Sequence, residues 1–166
     1  NVAGNPCPVV DQSTGRIWSL QTWNSQKVPE NETKVGFGAD SRRVFITYSD
    51  DDGRTWEKAR EITASAKQKH WSWYATGPGS GIQLQRGKHK GRLIIPCDHK
   101  SLPDGGPQTY HSHILYSDDH GETWHIGAQT GHGLNECEAV ELENGDVMIN
   151  SRNHGVDEFH RGVSIS

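Results

Sequence analysis

Glu136 and Arg152 are the residues of this 166-residue chain whose types and spacing first invite a chemical reading. They stand 152 − 136 = 16 positions apart, with Asn144-Gly145 midway. Asn-Gly is a strong hairpin signal because both central residues of a type I′ turn need positive φ, so the pair is expected face to face on neighbouring strands. A hydrogen-bonded carboxylate can accept a proton from a weak nucleophile, and a guanidinium offers two parallel N–H donors that a lysine cannot copy. The two can converge on one ligand. On residue type alone, a solvated strand-end glutamate and a surface arginine in a structural ion pair fit equally well. The nearby Glu138, Glu141 and Glu143 are expected as exposed-face charges.

Other reactive residues suggest less. His111 and His113 share one strand face, with Asp98 or His99 nearby, but no closed metal-ligand set is visible. Cys7, Cys97 and Cys137 are odd in number and widely spaced, which argues against a disulfide framework or C-x-x-C zinc sites and leaves small buried hydrophobes. Asn31-Glu32-Thr33 is a glycosylation sequon in a polar loop, meaningful only on a eukaryotic secretory route.

The elements that would position these residues repeat. SDDDGRTW (Ser49–Trp56) and SDDHGETW (Ser117–Trp124) both spell Ser-x-Asp-x-Gly-x-Thr-Trp, and each follows a strand-like run, RVFITYS or HILYS. A third run, RGVSIS, ends on Ser166, where a third octet is expected to begin. Earlier in each unit, turns at Thr14-Gly15-Arg16, Lys90-Gly91-Arg92 and Asn144-Gly145-Asp146 divide two β-rich arms. The unit reads hairpin, loop, strand, octet, final strand, which is a four-stranded blade. In the octet, Asp51 and Asp119 are expected to fold back on turn amides, Gly53 and Gly121 to take strained dihedrals, and Trp56 and Trp124 to anchor the turn on the blade; Ser49, Thr55, Ser117 and Thr123 complete the clasp. A calcium loop fits poorly, since Tyr48 stands where an acid is needed and no bidentate Glu follows.

Composition agrees. An apolar share of 31%, with 19 Gly and six Trp, points away from one large core and towards an all-β chain of short strands and tight turns. A net charge of −4 with scattered Lys and Arg leaves no footprint for nucleic acid, and no apolar run is long enough for a membrane-spanning helix.

The octet is the Asp-box. The ordered segments GNPCPVVDQSTGRIWSL, WSWYATGPGSGIQL, GRLIIP, SDDHGETW and LNECEAVELENGDVMINSRN resemble the middle of an exo-α-sialidase (neuraminidase) of glycoside hydrolase family 33. Asp-boxes alone are weak evidence, because they also occur in propellers without this activity. The resemblance implies a six-bladed β-propeller, of which residues 1–166 would form about three four-stranded antiparallel blades. It implies retaining hydrolysis of terminal α-linked sialic acids on glycans, glycoproteins or gangliosides, without cofactor or metal. Three arginines grip the substrate carboxylate, a tyrosine attacks, a glutamate activates it and an aspartate is the acid/base. Sialidases depart from the two-carboxylate rule of glycosidases because the sugar carries its own carboxylate, which a neutral phenol can approach.

Carried over to this chain, Glu136 matches the activating glutamate and Arg152 one arginine of the trio. Asn5 and Glu30 match substrate contacts, against a turn cap and a solvated loop on residue type. Asp98 stands where several animal relatives place pocket-wall tyrosines, a departure on the glycerol side of the pocket. None of Tyr48, Tyr74, Tyr110 or Tyr116 has the nucleophile's context. The first arginine and the acid/base aspartate are expected before Asn1, and the third arginine and the tyrosine beyond Ser166, so the segment alone is expected to be inactive. A trans-sialidase and a non-catalytic Asp-box propeller binding carbohydrate or protein are the alternatives. Compartment stays open, with extracellular, periplasmic or lysosomal placement favoured over cytoplasmic.

Overall fold

The computed structural model describes residues 2–101, 108–154 and 160–166. These form three antiparallel sheets with almost no helix. The first runs β1 (Val2–Val10), β2 (Ile17–Asn24), β3 (Arg43–Ser49) and β4 (Arg60–Glu61), in that order. The middle sheet runs β5 (Trp71–Thr76), β7 (Leu93–Ser101), β8 (Thr109–Ser117) and β9 (His125–Gln129), with the short β6 (Ile82–Gln83) also on β7. Since β5 and β6 pair with opposite ends of β7, they act as one first strand interrupted at Gly77-Pro78-Gly79. The third sheet has three strands among the described residues, β10 (Leu134–Glu141), β11 (Val147–Asn153) and β12 (Gly162–Ile165), the last running up to the serine where the third octet is expected to begin.

Strand β7 explains the layering. Leu93 to His99 are all buried, because the middle sheet is covered on both faces and its strand therefore reads as a nearly continuous apolar run. One face joins Leu93, Ile95 and Cys97 to Trp18, Leu20 and Ile46 of the first sheet. On the other, Ile94 meets Ala139 and Val147 of the third. The three cysteines are free and buried, and burial, with a smaller push from neighbouring charges, raises the Cys7 and Cys137 thiols to about 12. They behave as apolar filler.

Both Asp-boxes form the same clasp. Ser49 Oγ donates to Asp51 Oδ1 at 2.8 Å and accepts from Gly53 N at 2.9 Å, while Thr55 N and Oγ1 donate to the two Asp51 oxygens at 2.8 and 2.6 Å. Ser117, Asp119, Gly121 and Thr123 repeat every one of these bonds. Gly53 and Gly121 have φ of 80° and 91°, as the turn demands. A further repeat joins hairpin to octet: Arg16 forks onto Asp50 over the Tyr48 ring, and Arg92 forks onto Asp118 over Tyr116.

Three expectations need correction. Trp124 is 2% exposed, but Trp56 is 45% exposed and merely donates to Gly53 O within its own turn. The second octet has the first sheet to rest on, where Trp18 Nε1 donates to His120 O at 2.8 Å; among the described residues the first octet has no such neighbour. The Asn144-Gly145 turn is not type I′, since Gly145 alone has positive φ; a turn closed by Gly145 N to Leu142 O at 2.9 Å ends in that glycine. Glu141 is no exposed-face charge, because its carboxylate accepts the backbone N–H groups of Gln85 and Arg86 at 2.8 and 2.9 Å and ties the third sheet to the middle one.

Lys67 is a buried cation held by backbone carbonyls alone. Its buried ammonium donates to Gly36 O, Arg42 O and Ser72 O at 3.1, 3.0 and 2.8 Å, using its full donor capacity. Lys67→Met removes the donor from the buried Arg42 and Ser72 carbonyls and the half-buried Gly36 carbonyl, and is expected to lower stability by about 2–4 kcal/mol in urea unfolding. An unchanged midpoint would mean that water replaces the ammonium.

Candidate active site

The first strand of each sheet bulges at the same point. Between Gly4 and Cys7, Trp71 and Tyr74, and Leu134 and Cys137, two residues face one on the partner strand. Such a bulge bends the strand and re-aims its side chains. The bulged residues are Asn5-Pro6, Ser72-Trp73 and Asn135-Glu136, so two of the candidate residues are aimed by the same device in different sheets.

At the third bulge the expected pair meets. Arg152, the single residue opposite Asn135 and Glu136, places NH1 2.8 Å from Glu136 Oε2. Its Nε donates to Asn135 Oδ1 at 3.1 Å, and its NH2 lies 3.1 Å from His154 Nδ1. Nε and one N–H of NH2 are taken by Asn135 and His154 and NH1 meets Glu136 as an ion pair, which leaves one further N–H on each of NH1 and NH2 for a ligand. The side chains of Arg152 and Glu136 are 46% and 41% exposed, so the pair adds at most about 1 kcal/mol to stability. Its accessibility suits a role in binding better.

Glu30 sits in a 3-10 turn, Glu30–Glu32, and joins the same region from the first sheet's long loop. Its Oε1 accepts the Tyr110 hydroxyl at 2.6 Å and lies 3.3 Å from Lys100 Nζ. Partial burial works to raise its carboxyl, but the Tyr110 hydrogen bond and the Lys100 and Arg42 charges outweigh it and hold the group below the usual range. Tyr110 also meets the His154 ring edge-on at 4.7 Å, so a continuous polar line runs from Glu30 through Tyr110 and His154 to Arg152 and Glu136.

Asp98 lies beneath this line. It is 1% exposed, its Oδ1 has no hydrogen-bond partner, and its carboxyl is pushed up to about 8. Burial is the main cause, followed by the Glu136 and Glu30 charges, while a hydrogen bond from Trp73 and the Arg152 charge oppose the shift. Between about pH 4, where an unfolded Asp titrates, and about pH 8, the folded state holds a proton that the unfolded state has released. Stability therefore falls as pH rises through that window and levels off above it. Asp98→Asn cannot ionise, so its stability relative to the parent should grow by on the order of a few kcal/mol between pH 4 and 8. Parallel urea titrations at the two ends check this, and a pH-independent difference would contradict it.

Several residues of the region escaped sequence reading. Arg42, Trp73, Lys100, Tyr110, His154 and Asn135 all take part. One signal was available: Asn-x-Cys occurs in both NPCP and NECE, and Asn5 and Asn135 hold equivalent bulge positions, each with its oxygen taken by an arginine. The histidine pair does share a region with His99, but His99 and His113 spend ring nitrogens on each other at 3.0 Å and His113 on Tyr74 Oη at 3.0 Å. Burial, and secondarily His111, lowers His113 to about 3, which marks the group as neutral core. A cavity of about 410 Å³ lies elsewhere, between the outer strands of the middle and third sheets and bordered by Arg92, Tyr116 and Ser166.

The arrangement defines an all-β Asp-box repeat protein with a polar site along the first strands of its sheets. The BNR repeat-like domain family matches residues 1–165, and the chain belongs to that family. It is similar to human Sialidase-3, with 35% identity over 149 residues covering 83% of this chain and 34% of the relative. It is also similar to the sialidase of Micromonospora viridifaciens, 34% identical over 166 residues covering 98% of this chain and 25% of the relative. Among solved structures, Hadza microbial sialidase Hz136 superposes with a TM-score of 0.86 at 30% identity, covering 100% of this chain and 31% of that one. The intramolecular trans-sialidase from Ruminococcus gnavus shares the fold at a TM-score of 0.74 and 18% identity, covering 92% of this chain and 50% of that one. The chain spans a quarter to a third of the length of these curated relatives.

Proposed function

We propose that the complete protein is a retaining exo-α-sialidase that removes terminal α-linked sialic acids from glycans, glycoproteins or gangliosides, built on a six-bladed β-propeller of which this segment supplies about half. The observation that carries the reading is the Glu136–Arg152 contact, held by a bulge in a chain about one-third identical to named sialidases. Apolar side chains left exposed on the outer sheets, Val140, Val163 and Ile165 on the third and Trp56 beside the first, suit further blades packing there.

Arg152 offers its two remaining donors to the sugar carboxylate. Glu136, steadied by Arg152, takes the proton of a tyrosine supplied from another part of the protein, because a phenol with its ordinary pKa near 10 is a poor nucleophile at neutral pH. Asn5 and Glu30 contribute polar contacts on the flanks, while the buried Asp98 supports the wall from behind. The test is release of free sialic acid from a fluorogenic α-sialoside by the complete protein, with and without lactose. Release that is unaffected by lactose supports the hydrolase, and sialyl transfer to lactose would convert the reading to a trans-sialidase. Binding without release would leave a carbohydrate-binding propeller.

A further inference from the structure

We infer that Arg42 is a positioning residue that turns the Asn5 amide so that its N–H groups face the ligand, and that the site therefore takes an acceptor oxygen of the sugar at this point. The inference rests on the sialidase reading above and goes further, giving that contact a polarity and a residue that sets it.

Arg42 is 4% exposed, yet no carboxylate touches it among the described residues. Its Nε donates to Tyr74 O at 3.2 Å, NH1 to Asn24 Oδ1, and NH2 to Asn5 Oδ1 at 2.8 Å, while the guanidinium stacks 4.3 Å from the Trp73 ring. Glu30 and Asp98 act on this cation only from a distance, so its burial is costly, and an apolar side chain would hold the sheets together at less cost. What an apolar side chain cannot do is fix an amide. A guanidinium has donors only, so the oxygen of Asn5 must be the atom that faces it. The Thr22 hydroxyl donates to the same oxygen at 3.3 Å.

The Asn5 nitrogen is thereby turned away. It makes no hydrogen bond among the described residues and is not a buried unpaired atom, so its donors stay open. The backbone is held as well: Asn5 has φ of 53° at the bulge, and its carbonyl accepts the Thr76 hydroxyl of the middle sheet. Lys67 fixes the Arg42 carbonyl in turn. A cation on the oxygen side polarises the amide and strengthens its N–H groups, which suits an acyl carbonyl or ring hydroxyl oxygen and rejects a donor without lone pairs.

The decisive variant is Asn5→Asp in the complete protein, assayed on a fluorogenic sialoside. It keeps the shape, gives Arg42 a carboxylate and replaces the outward donor with an acceptor. The expected result is an unchanged or higher thermal midpoint together with KM raised about tenfold or more and kcat within about threefold, the pattern of lost ground-state binding. Arg42→Met should raise KM similarly, Arg42→Lys should recover part of the loss, and in an Asn5→Ala background Arg42→Met should change KM no further. Asn5→Asp carries the test alone if Arg42→Met does not fold. An Asn5→Asp protein with wild-type KM, or an Arg42→Met effect that multiplies fully with Asn5→Ala, would reduce Arg42 to scaffolding. A wild-type protein that turns over no sialoside overturns the sialidase reading itself and this inference with it.

Discussion

Replacing Glu136 with Gln in the complete protein is expected to lower kcat on an α-sialoside by about 10²–10⁴-fold, the usual contribution of a positioned general base. The substitution is nearly isosteric, and Gln can still accept from Arg152 through its amide oxygen, so the bulge and the 2.8 Å contact should survive. What disappears is the ability to take a phenolic proton. KM should move little, because the ground-state grip on the sugar carboxylate belongs to Arg152. Circular dichroism and thermal midpoints measured beside the rates separate this from unfolding, which is not expected for a pair this exposed. Equal turnover by the two proteins would remove Glu136 from the chemistry.

Arg152→Ala should cost kcat/KM about 10²-fold. A charge-assisted hydrogen bond contributes roughly 1.5–3 kcal/mol, and two donors aimed at one carboxylate approach the upper end. The loss should appear in both constants, since the side chain holds the ligand and also restrains Glu136 and Asn135. Arg152→Lys restores the charge but not the fork, so it should recover only part of the loss. It also cannot span Asn135, Glu136 and His154 at once, as the guanidinium does. A specificity constant within about threefold of wild type for Arg152→Ala would place the carboxylate elsewhere.

Local chemistry made much of this legible before any coordinates. The octet can be read because its bonds run between residues two to four positions apart, Ser49 to Asp51 and Asp51 to Thr55, and such bonds are set by spacing. The pairing of Glu136 with Arg152 follows from an Asn-Gly turn and a count of residues. The bulges were not visible, since one extra residue leaves the letters unchanged and alters only which of them face each other. Arg42 was hidden for another reason: it reaches Asn5 across 37 positions, and nothing near Arg42 in the sequence marks it. Asp98 was expected at the pocket wall, yet tertiary packing puts it beneath Trp73 with its carboxyl raised. Trp56 and Trp124 have the same local sequence and opposite exposure, because only a neighbouring sheet decides whether the ring is covered.

The most direct test of the central claim is proton NMR of the first sugar released from an α-sialoside by the complete protein, followed before mutarotation. A retaining enzyme in which Glu136 activates a nucleophile should release the α-anomer first, with the β-anomer growing in later, and Glu136→Gln should release neither at a comparable rate. Initial release of the β-anomer, or an undiminished α signal from Glu136→Gln, would contradict the account.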